Sequence, residues 1–144
     1  MAQFNFRLQR VLDIRDVELD KAQNELYQEK QKLTEIEEKL DKAKQKLSNL
    51  FDYIRHNNLT VTENIRTREY IKKQQRKIEE IAQEFYQQKE VVREYQENLI
   101  EKKQAKEKIV KIKEKKSKAF YKEFLDKEQK ELDEISLQLS QQGV

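Results

Sequence analysis

Apolar residues recur at alternating intervals of four and three through the first third of the chain: Leu8, Leu12, Arg15, Leu19, Ala22, Leu26, Glu29, Leu33, Ile36, Leu40, Ala43, Leu47, Leu50 and Ile54. Twelve of these fourteen are apolar, and that spacing keeps one narrow stripe on one side of a helix. Such a stripe demands a partner helix, so the pattern predicts a coiled-coil seam. Arg15 and Glu29 interrupt it, and polar seam residues fix register at some cost in stability. The stripe stops at "IRHNNLTVTENI", where Asn57 and Asn58 tolerate turn geometry. Thr60 and Glu63 have the spacing of a capping box, which starts a new helix. A looser seam follows through Ile71, Ile78, Ile81, Phe85, Val92, Tyr95 and Leu99, with polar gaps at Gln88 and Lys102. A last apolar series runs Phe120, Phe124, Leu125, Leu132, Ile135 and Leu139.

The expected fold is all-α: one antiparallel two-helix coiled-coil hairpin with a longer second helix. Helix one should span about 4–55, the turn about 56–61 and helix two about 62–140. With the turn centred near residue 58, position n on helix one faces roughly 116 minus n on helix two. Leu8 should then lie near Ile109, and Met1 near Lys115. About 25 residues of helix two have no partner within the chain, yet they carry a stripe of apolar side chains. Exposed stripes of that kind mark interaction sites.

Composition supports long helices over a globular core. Of 144 residues, 41% are charged and 35% hydrophobic, with one glycine and no proline. Disorder is the other reading of so polar a chain, but 31 basic and 28 acidic residues nearly cancel, whereas disordered chains carry high net charge and many breakers. There is no cysteine for a disulfide or thiolate metal site. The start "MAQFNFRLQR" lacks the apolar core of a secretory signal, and no apolar run approaches a membrane span, so a cytoplasmic protein is expected. A two-helix hairpin offers no concave site, His56 is the sole histidine, and glycine-rich phosphate loops are absent. No enzyme activity, cofactor or metal is expected.

One stretch resists the pattern. "KKQAKEKIVKIKEKKSK", residues 102–118, holds nine lysines and two glutamates, and its seam nearly vanishes. It reads as a solvated helix face where the partner helix is ending, as a contact for an acidic protein, as a nucleic-acid site, or as a membrane-surface segment. A duplex binder shows a broader basic face, and residues 1–58 are neutral overall.

Three segments in order resemble the FliJ family, small coiled-coil proteins of the bacterial flagellar type III export apparatus. "FNFRLQRVLDIRDVELDKAQNEL" is similar to the family's start through Phe4, Phe6, Leu8, Val11, Leu12, Arg15, Glu18, Ala22 and Leu26. "REYIKKQQRKIEEI" resembles the beginning of its second helix through Tyr70, Ile71 and Ile78, with Gln74 and Gln75 standing where an apolar residue is expected. "KEQKELDEISLQ" resembles its C-terminal stretch through Glu131, Leu132, Asp133, Glu134 and Ile135.

The resemblance implies a hairpin similar to the central stalk of rotary ATPases. It would bind the hexameric export ATPase and the cytoplasmic domain of the export gate, and would escort substrate chaperones. It would sit in the cytoplasm, held indirectly and peripherally at the membrane-embedded apparatus, with no nucleic acid as partner. On that reading Phe4, Phe6, Leu8, Phe120 and Phe124 anchor the ATPase while Lys111, Lys113, Lys115 and Lys116 steer it. Tyr53, Tyr70 and Ile71 near the turn would meet the gate, with ordinary packing around the turn as the alternative for the tyrosines. A basic nucleic-acid-binding hairpin and a self-pairing coiled-coil oligomer are the competing readings.

Overall fold

The computed structural model describes residues 3–142. Two helices form, α1 (Gln9–His56) and α2 (Val61–Gln142), and no strand occurs among the described residues. They pack together as an antiparallel hairpin. Packing divides the chain into two units, Met1–Asp20 with Glu101–Val144 and Lys21–Ile100. The second unit holds the turn, and the first holds the N-terminal segment, the lysine-rich stretch and the C-terminal length of α2.

The α1 stripe is the seam. All fourteen positions from Leu8 to Ile54 are buried or half-buried, with Leu12, Leu19, Ala22, Leu26 and Leu40 the deepest. The α2 seam keeps the same three-four rhythm without a break from Ile71 through Gln74, Ile78, Ile81, Phe85, Gln88, Val92, Tyr95, Leu99, Lys102, Lys106 and Ile109 to Lys113, and none of these is exposed. Gln74 is therefore a seam residue, buried beside Ile71.

The turn is capped as its sequence requires. The Thr60 N–H donates to Glu63 Oε2 and the Glu63 N–H to Thr60 Oγ1, both at 3.2 Å. This reciprocal pair satisfies two of the amide donors left over at a helix start. At the other side of the turn Asn57 Nδ2 donates to the Tyr53 carbonyl at 2.9 Å, covering one of the last free acceptors of α1.

Helix one begins at Gln9 rather than near residue 4. In an extended segment residues two apart share a side, whereas in a helix they point about 200° apart. Phe4 and Phe6 use that alternation: their rings stack at 6.4 Å, and Phe4 meets Phe120 at 5.6 Å. A helix through residue 4 would turn one of the two rings away from α2.

Register near the turn follows the expected sum, since Glu29 bonds Gln88 and Lys46 lies over Tyr70. In the unit that holds the termini, Gln9 meets Lys113 and Asp16 meets Lys106, both six residues beyond that sum. Side chains lean toward the N-terminus of their own helix, so in an antiparallel pair a long lysine reaches a residue about one turn nearer the hairpin's bend. Met1 lies outside the described residues.

Candidate partner-binding surfaces

The lysine-rich stretch does not abandon the seam; lysines occupy it. Lys102, Lys106 and Lys113 are half-buried at seam positions, with Ile109 between them. Their stems cover apolar surface while their ammonium groups reach polar partners on α1. Lys106 pairs with Asp16 at 2.7 Å, and that carboxylate holds the ammonium above the ordinary lysine pKa. Lys102 lies 3.9 Å from Glu18, which also takes Arg15 at 3.0 Å. Lys113 donates to Gln9 Oε1 at 2.7 Å and sits 6.0 Å from the centre of the Phe6 ring.

These contacts sort the expected ATPase-facing residues. Lys111, Lys115 and Lys116 are exposed and make no ion pair among the described residues. Lys113 is engaged within the hairpin, Phe6 is buried and Leu8 is half-buried on the seam. Phe4, Phe120 and Phe124 keep part of their surface open, and Phe120 touches both Phe4 and Tyr121. A shallow groove of about 320 Å³ beside Phe120 and Phe124 is walled by Glu123, Glu128, Glu131 and Lys127. Past Phe124 every described residue of α2 is exposed.

The surface near the turn is built differently. Tyr53 and Tyr70 are both exposed. Lys46 lies 5.6 Å over the Tyr70 ring, and its ammonium near the phenol holds that group below the ordinary tyrosine pKa, with Gln74 adding to the effect. Ile71 does not join them: it is only 6% exposed and forms part of the floor of a groove edged by Phe51, Arg68, Lys72 and Gln75. The apolar surface that is open here belongs to Phe51, Val61 and Ile65. Sequence reasoning passed over them, yet the signal was present. Counting back from Ile71 in threes and fours puts Thr67 and Asn64 on the seam, which leaves Val61 and Ile65 off it.

His56 closes α1 in an exposed position, and no group of His, Cys, Asp or Glu among the described residues is placed to hold a metal ion. No helix among them is long and apolar enough to cross a membrane. A model of the family described as flagellar FliJ protein matches residues 4–144, almost the whole chain. The chain belongs to the FliJ family. As a FliJ-family protein it is a component of the flagellar export apparatus, in a family of structural parts rather than known enzymes. Comparison with curated proteins and with solved structures returns no match.

Proposed function

We propose that this FliJ-family chain binds the hexameric export ATPase through the unit that holds its termini, and the cytoplasmic domain of the export gate through the unit that holds its turn. The observation that carries the first contact is the Phe4–Phe120 ring pair, with Phe124 beside Phe120 in the neighbouring groove of α2, all three half-open and followed by exposed helix. Buried aromatics dominate the affinity of an interface, and rim charges mainly set its association rate. Phe120 and Phe124 are thus the anchors, with Lys111, Lys115 and Lys116 steering toward acidic groups of the ring. Lys113 belongs to the hairpin and is not counted among them.

For the gate, Tyr53 and Tyr70 supply large exposed rings at low entropic cost, and Phe51, Val61 and Ile65 extend the same apolar character. Escort of substrate chaperones, and a cytoplasmic position held at the membrane-embedded apparatus through protein contacts, complete the reading.

Surface plasmon resonance with purified ATPase and gate domain tests both contacts. Phe120→Ala with Phe124→Ala should weaken ATPase binding by about a hundredfold, chiefly through faster dissociation. Lys111→Gln, Lys115→Gln and Lys116→Gln together should slow association and flatten its salt dependence. Tyr53→Ala with Tyr70→Ala should weaken only gate binding; unchanged gate affinity in that folded variant would remove the gate contact from the reading.

A further inference from the structure

The half-buried line of α2 ends at Phe124. Continued in threes and fours it meets only Lys127, Glu131, Glu134 and Gln138. One residue further round, roughly 100° on the helix, a second line begins with Tyr121, Leu125, Glu128, Leu132, Ile135 and Leu139. Its intervals are four, three, four, three and four, and five of its six positions are apolar. All six are exposed, the apolar ones by half or more of their surface.

We infer that this second line is a docking face for a basic amphipathic helix of another protein, about 20 residues long. The inference goes beyond the ATPase contact and uses a different side of α2. Heptad spacing states the geometry of the occupant: knobs at these intervals fill the holes of a helix, and neither a flat surface nor an extended peptide requires them. The charges state its sign. From Leu125 to Gln142 there are five acidic residues against Lys127 and Lys130.

A second copy of this chain is the alternative occupant, and charge disfavours it. Parallel self-pairing sets Glu128 against Glu128 in the core of the seam, and antiparallel pairing sets it against Leu132. Either arrangement brings two acidic helices together. A foreign helix with a lysine or arginine facing Glu128, and basic residues at its flanks, removes both conflicts.

The test uses the full chain and two labelled synthetic helices of 21 residues. Both carry Leu and Ile at the heptad core with one core Lys, and their flanking positions are Lys in one and Glu in the other. Fluorescence anisotropy should show the Lys-flanked helix binding at least about tenfold more tightly than the Glu-flanked one, with the gap shrinking as salt rises. Leu125→Asp with Leu132→Asp should abolish that binding while circular dichroism shows the helix retained. Phe120→Ala with Phe124→Ala should leave most of it, which separates this face from the ATPase anchors. Equal binding of the two helices, or none by either, would overturn the inference. So would sedimentation showing the chain alone to be a dimer that Leu132→Asp dissociates, because the face would then belong to a second copy.

Discussion

Glu29 stands where the heptad asks for an apolar side chain, and Gln88 stands at the corresponding gap of the other helix. The two meet: Gln88 Nε2 donates to Glu29 Oε2 at 2.7 Å and to the Glu29 carbonyl at 3.0 Å. Lys32 adds an ion pair at 3.1 Å from within α1. The Gln88 hydrogen bond, followed by the Lys32 contact, holds the Glu29 carboxyl below the ordinary glutamate pKa. A carboxyl depressed in the folded state adds stability that is complete above its unfolded pKa and is lost as pH falls through the folded one. Urea midpoints should therefore decline on acidification below the ordinary carboxylate range, and Gln88→Leu should reduce that decline by removing the larger cause. A slope in that range unaltered by Gln88→Leu would assign the acid sensitivity to other groups. At neutral pH the pair acts as a register pin, since a shift by one heptad would set Glu29 and Gln88 against apolar neighbours.

Each helix shows a different balance of legible and hidden signals. The capping box at Thr60 is local, so four residues of sequence disclose it. Thr60→Ala should cost about 1 kcal/mol of stability, read from chemical denaturation, because it leaves an amide at the start of α2 without its acceptor. The α1 stripe was equally plain, as twelve apolar residues at strict spacing admit one seam. The late start of α1 was hidden, because Phe4 and Phe6 are placed by a ring far along the chain, Phe120. Lys102 had its seam place as a polar gap, whereas Lys106 and Lys113 were hidden for another reason. Lysine is read as solvent-facing by type, although its stem can cover a seam while its charge finds Glu18, Asp16 or Gln9. Sequence reasoning marks Gln74 as standing where an apolar residue is expected but leaves it out of the seam, and strict heptad counting from Ile71 places it there. A seam held by lysines weakens with salt, whereas one held by Ile71, Ile81 and Val92 does not. Hydrogen exchange should accordingly quicken with added salt at residues 102–113 and stay unchanged at 71–92. The same salt response in both stretches would contradict the division.

For the whole molecule, membership of the FliJ family settles the machine in which the chain works. Of the residues expected to bind, Phe4, Phe120, Phe124, Lys111, Lys115, Lys116, Tyr53 and Tyr70 keep surface open in the structure. Phe6 and Ile71 are buried and Lys113 is engaged with Gln9, a demand visible only once the partner helix is in place. In the function we propose, Phe4, Phe120 and Phe124 engage the export ATPase. The most direct measurement is the steady-state hydrolysis rate of the purified ATPase with increasing amounts of this chain and of its Phe120→Ala, Phe124→Ala variant, with helicity checked in parallel. Stimulation by the chain, with the variant needing about a hundredfold more protein for the same effect, is the predicted result. Equal stimulation by a variant that keeps its helicity would contradict the claim.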